Sequence, residues 1–234
     1  MCPRNTVFWL GAITIFLLAV QLIEILLVFL IGPKNEFVLL IDKLFFLDAE
    51  MNIPTLFSTC LFLINAILFW VVWKAKHAAG EPQRVWLFLA GLFVFLAIDE
   101  FVEVHEIFND PFRQAFDASG YFYYPFIIPY GIAVVVLALF MIPVWWRMEK
   151  MIRFFLALSA VVYVAGAIGM EMIGGNRFEM LWMRRDLGYV FIATFEETLE
   201  MAGLIILTYV LLLLIRNHYN EFLIHISGSQ DASP

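Results

Sequence analysis

The stretch "VWLFLAGLFVFLAIDEFVEVHEIF", residues 85–108, decides the fold. From Val85 to Ile98 it is unbroken apolar or small sequence, and then Asp99, Glu100, Glu103, His105 and Glu106 arrive within eight positions. A helix needs about 20 residues to cross ~30 Å of hydrocarbon, so this stretch reaches spanning length only with its acids included. Apolar runs of the same kind recur near 7–31, 54–73, 125–146, 152–173 and 189–215. The whole chain is 63% apolar and only 15% charged over 234 residues, with mean hydropathy +0.89. Soluble domains lie nearer half apolar and a quarter charged. The sequence therefore predicts a single all-α polytopic membrane domain over 1–234, with six transmembrane helices and a disordered tail from about 227. The run from Val7 to Ile31 is too long and lacks the small-residue cleavage site of a signal peptide, so it reads as a retained helix.

Six spans leave both termini on one side. That side carries Arg4, Lys74, Lys76, Arg84, Arg147, Lys150, Arg153 and Arg216, against Lys34, Lys43, Arg113, Arg177, Arg184 and Arg185 on the other. The excess of cations places the termini in the cytoplasm of a bacterial inner membrane. Trp9, Trp70, Trp73, Trp86, Trp145 and Trp146 mark one interface, and Tyr121, Tyr123 and Tyr124 the other, as amphipathic rings do. "EFVLLIDKLFFLDAE", residues 36–50, spaces its apolar residues as a short helix lying in the outer interface. Cys2 and Cys60 fall on opposite sides and are expected to stay unpaired. No basic stripe points to nucleic acid, and no phosphate loop, Ser/His/Asp order or Cys/His metal spacing occurs.

Nine carboxylates lie within the expected spans: Glu24, Asp99, Glu100, Glu103, Glu106, Glu171, Glu196, Glu197 and Glu200. At 1.5 Å per residue Glu24 and Glu196 sit about 10 Å, Asp99 about 13 Å and Glu171 within about 5 Å of the outer ends of their helices, although those helices run in opposite directions. All nine therefore arrive in one layer, which Asp48 and Glu50 of the outer loop would cap. On a continuous helix Asp99, Glu103 and Glu106 share one face, Glu196, Glu197 and Glu200 share another, and His105 points away from Asp99 and Glu103. Gly203 extends the second face. Gly166 and Gly169 would let the fifth span approach a neighbour closely.

A carboxylate at a helix centre costs about 2.5–3.5 kcal/mol on the insertion scale, so nine facing lipid would cost on the order of 20 kcal/mol. They must face one another, water or a metal, and without protons or a cation they could not all stay ionised. One reading is a metal site, mononuclear or dinuclear. Pairs at i, i+3 in "EFVE", "EVHE" and "ETLE" match the spacing used by carboxylate-bridged helical bundles, although no Glu-x-x-His occurs. Such an oxygen-rich set, with His105 nearby, suits Mn, Fe, Ca or Mg. It would serve binding or catalysis on a lipid-soluble substrate. A second reading is a proton or cation pathway, for which Asn65 and Ser159 are among the few inner polar residues. A third is an accessory subunit of a membrane complex whose acids hydrogen-bond between helices.

"LDAEMNIPTLFS" (47–58), "LAIDEFVEVHE" (96–106), "GAIGMEMIGG" (166–175) and "FEETLEMAG" (195–203) together resemble an uncharacterised family of bacterial multi-pass membrane proteins. Its members carry LDxExNIPT, DExxxxHE and EExxEMxG motifs. The resemblance covers residues 37–215 and adds weight to Asp48, Glu50, Asp99, Glu100, His105, Glu106, Glu171, Glu197 and Glu200. It implies no activity. Phe101 stands where the relatives tend to have small residues, which would narrow any cavity.

Overall fold

The computed structural model describes the backbone of residues 2–49, 51–80 and 83–230, and side chains as far as Asn217. Among the described residues there is no strand. Six helical units are long and apolar enough to cross a membrane. They are α1 (Pro3–Ile31), α3 (Ile53–Ala78), α4 (Arg84–Val102), α7 (Ile127–Trp146), the composite of α8 (Lys150–Val164) with α9 (Glu171–Met180), and α10 (Leu187–Gln230) as far as Asn217. The short α2 (Glu36–Phe45) forms as its spacing predicts. Two further short helices, α5 (Val104–Ile107) and α6 (Asn109–Phe116), follow α4. Residues 227–230, expected to be disordered, continue α10, and 231–234 lie outside the described residues.

Local chemistry accounts for the helix boundaries nearest the acids. The Asn52 side chain accepts the Thr55 N–H at 3.0 Å and donates to the Phe46 carbonyl at 2.7 Å. With Pro54 in the first turn, "NIPT" thus starts α3 and ties it to the preceding loop. At the other boundary the expected span 85–108 ends early. Glu103 takes a left-handed conformation, φ 61°, and its N–H bonds to the Asp99 carbonyl at 2.8 Å. A non-glycine residue there is uncommon and bends the chain out of the helix. Asp99, Glu103 and Glu106 therefore do not form one continuous helical face.

The core forms around α10. Leu17, Leu61, Phe62, Ala97, Met201 and Leu204 pack from α1, α3, α4 and α10. Phe69, Trp86, Leu89, Leu207 and Leu211 form a second cluster toward the terminal side. Trp86, expected as an interface ring, is 0% exposed. It stacks on Phe69 and donates to Gln83 Oε1 at 2.9 Å. Tyr123 is likewise buried rather than set at headgroup level. Trp9 and Trp146 are exposed, as interface rings should be.

Small residues set the helix spacing where hydrophobic driving force between helices is absent. A Cβ on Gly166 would lie 2.8 Å from the Glu196 carbonyl oxygen, and one on Gly203 would lie 2.8 Å from the Tyr163 nitrogen. These two glycines bring the fifth span onto α10. Gly169 has open space around it and plays no such part. Between α8 and α9, Ala165–Met170 form a π-helical turn, an irregularity common at functional sites. Ser159 donates to the Gly203 carbonyl at 2.8 Å, and Asn65 links the Leu204 carbonyl to Thr208. The thiols of Cys2 and Cys60 are free.

Candidate functional site

One cavity of about 930 Å³ gathers most of the expected acids. Asp48, Asp99, Glu100, Glu106, Glu171, Glu196, Glu197 and Glu200 line it, with His105 and Arg185. Four elements supply the carboxyls: the loop after α2, the α4–α5 break, the start of α9 and the first half of α10. Glu24 and Glu103 are not on its wall. Glu50 lies outside the described residues.

Glu24 acts one step removed. It accepts a hydrogen bond from Gln21 Nε2 at 3.0 Å, and Gln21 Oε1 accepts the Leu47 N–H at 2.9 Å. That chain fixes the backbone next to Asp48. The Thr55 hydroxyl donates to the Ala49 carbonyl at 3.1 Å and holds the loop from its other side. Asp48 then accepts from the Tyr189 hydroxyl at 3.2 Å, with an Arg185 nitrogen 3.6 Å away. Burial pushes the Asp48 carboxyl up to about 7, against the pull of Arg185.

The break at Glu103 reverses the expectation for His105. Its N–H donates to Asp99 Oδ1 at 2.8 Å, and its Nδ1 lies 3.3 Å from the same oxygen. Asp99 Oδ2 accepts from the Tyr130 hydroxyl at 2.6 Å. Both oxygens of Asp99, which is 4% exposed, are thus occupied by the protein itself. The imidazole packs on Phe126 with centroids 4.7 Å apart. Burial disfavours its charged form, but Asp99, Glu106 and Glu171 outweigh that effect and hold His105 above the usual histidine range.

Deeper in the cavity the carboxyls meet one another. Glu171 and Glu196 approach each other there, a proximity that a proton or a cation between two carboxyls relieves. Glu200 meets the Tyr163 hydroxyl, and Glu100 meets Ser58. Among the described residues, no group of three or more His, Cys, Asp or Glu side chains is arranged to hold a metal ion. Phe101 is exposed and does not line the cavity, so it does not narrow it.

Tyr124, Tyr130, Tyr163, Tyr189 and Arg185 also line the site and were not among the sequence candidates. Tyr189 was accessible to the sequence argument, since it precedes Glu196 by seven residues and so shares its helical face. Tyr130 carried no such signal, because the acid it meets is on another span.

Beyond the acids the cavity continues as an apolar arm between α4 and α7, with Leu92 and Leu96 facing Ala133 and Leu137. The turn that leads into α10 is held by a clasp of its own. Arg177 Nε donates to Asp186 Oδ1 at 2.9 Å, and the same oxygen accepts the Tyr189 N–H at 2.8 Å and caps α10. The Arg177 guanidinium holds Asp186 down to about 2. Gly188 leaves the space that this guanidinium occupies.

No curated protein and no solved structure matches the chain. A family described as "Domain of unknown function (DUF8692)" matches residues 8–215, nearly the whole of the membrane bundle. The chain is therefore a member of that uncharacterised family.

Proposed function

We propose that this is a bacterial inner-membrane protein, with both termini cytoplasmic, that binds a hard divalent cation (Mn, Fe, Ca or Mg) among the cavity carboxyls. The pocket would face the periplasm and present the cation to a lipid-soluble molecule. The observation that carries this reading is the gathering of eight carboxyls from four elements onto one cavity whose cationic lining residues, Arg84, Arg185 and His105, are far fewer. Buried charge on this scale needs a counter-charge, and a divalent ion with oxygen ligands supplies it. Because the acids do not form a finished coordination set, the cation must recruit glutamate side chains into a cavity roomy enough for them to move. Glu171 and Glu196, which approach each other from two helices, are the natural bridge, with Glu197, Glu200 and Glu100 around them.

A through-membrane ion path finds less support. The inner polar groups Ser159, Asn65 and Thr208 are spent on the Gly203 and Leu204 carbonyls and on one another, so these three supply no exchanging chain below the acids.

Metal analysis of detergent-purified protein tests the reading. Native protein should carry a near-stoichiometric divalent ion that chelation removes and re-addition restores. Glu171→Gln plus Glu196→Gln should abolish it while the protein stays folded, since each amide keeps the shape and one acceptor. Absence of metal from the native protein under all four ions would sink the reading.

A further inference from the structure

Only 6% of the most apolar stretch of α7 is buried, the least of the six spans. It meets α4 at two heights. Near the acids the Tyr130 hydroxyl bonds to Asp99, and toward the terminal side Phe140 meets Phe88 edge-on, centroids 6.3 Å apart. Between these two contacts lies the apolar arm of the cavity, walled by Leu92, Phe95 and Leu96 on α4 and by Ala133, Val136 and Leu137 on α7. Phe95 and Val136 are exposed at the bundle surface, so this window faces the bilayer rather than water.

From Arg84 to Asp99 the cavity wall runs fifteen residues along α4, about 22 Å at 1.5 Å per residue, with Arg84 at the end away from the acids. That is longer than one leaflet, half of a ~30 Å hydrocarbon core, and so leaves room for a full acyl-length chain. The dimension matches one extended hydrocarbon chain entering sideways with its head at the acid layer. Charge selects the head. Eight carboxyls line that end against Arg185 and His105, so even one bound divalent cation leaves an acidic excess. An anionic head would meet repulsion there, and an ammonium head would be attracted.

We infer that the window between α4 and α7 admits a single-chain lipid with a positively charged amine head, the chain lying along Leu92 and Ala133 and the head meeting the cavity carboxyls. This deepens the proposed function by naming the class of lipid-soluble molecule, and the chain-binding part of it does not require the metal.

The test uses the full chain in lipid nanodiscs and a long-chain alkyl amine with a photoreactive diazirine in its chain. The matching alkyl carboxylate serves as the charge control. Labelled peptides should map to α4 and α7, and the amine should label about tenfold more than the carboxylate, a difference of about 1.4 kcal/mol. Ala133→Trp, which fills the arm without touching an acid, should remove the labelling. Ile132→Trp, on the neighbouring lipid-facing position outside the cavity lining, should leave it intact. Equal labelling by amine and carboxylate, labelling that survives Ala133→Trp, or no labelling of α4 and α7 would each overturn the inference. Metal content of the same samples separates the two ideas. A native protein that holds no metal yet labels as described refutes the cation and keeps the chain site; one that holds metal without labelling does the reverse.

Discussion

Asp99, a candidate metal ligand from the sequence, has both carboxylate oxygens engaged by the protein itself. It accepts from the His105 backbone and the Tyr130 hydroxyl, and it closes the end of α4. Asp99→Ala would leave a buried N–H and a hydroxyl without partners. The expected cost is about 2–4 kcal/mol, read as a lowered midpoint of unfolding in detergent. Tyr130→Phe removes one bond between helices and should cost only about 0.6–1.7 kcal/mol by the same measurement. Glu103 makes the opposite prediction. Its left-handed backbone at φ 61° suits glycine, and the side chain does not line the cavity. Glu103→Gly should therefore stabilise the protein by roughly 1 kcal/mol without changing metal content. The acids themselves were legible because charge within an apolar run is costly and conspicuous. The position of His105 was not, since it depends on one backbone torsion pair at Glu103 that no spacing rule reveals.

At the scale of elements, the glycines separate two kinds of close approach. Gly166 and Gly203 sit where α10 and the fifth span touch backbone to backbone, whereas Gly169 faces open space. Gly166→Leu or Gly203→Leu should prevent the two helices from docking, with losses of about 3 kcal/mol or more and dispersal of Glu171 from Glu196. Gly169→Ala should instead be neutral or stabilising by up to about 1 kcal/mol through helix propensity. Thermal unfolding monitored by circular dichroism distinguishes the two outcomes. The sequence marked Gly166 correctly as a close-approach residue, whereas it read Gly203 only as an extension of the acid face. It placed Gly169 with Gly166 because it assumed an unbroken helix, and the π-helical turn at Ala165–Met170 changes the register. The six spans were legible from length and hydropathy alone. The loose seat of α7 was not, because an apolar helix reads the same whether it packs against protein or lipid.

For the whole molecule, the acid layer couples stability to pH through the loop at its mouth. Folded Asp48 keeps its proton up to about pH 7, whereas an aspartate in the unfolded chain loses it near about 3.9. The folded state therefore binds more protons across that interval, and stability falls as pH rises through it. Asp48→Asn should flatten this decline between about pH 4 and 7. Asp186 works with the opposite sign. Arg177 depresses its carboxyl to about 2, so its contribution is present above about pH 4 and is lost on acidification toward pH 2. A bound divalent cation would favour ionised Asp48 and oppose the first trend. The most direct measurement is a calorimetric titration of Mn²⁺ into chelator-treated protein in nanodiscs at neutral pH, with Glu171→Gln plus Glu196→Gln as the comparison. The account predicts saturable, near-stoichiometric binding by the native chain that the paired substitution abolishes. Binding that is unchanged by the pair, or no binding of Mn²⁺, Fe²⁺, Ca²⁺ or Mg²⁺ to the native chain, would contradict it.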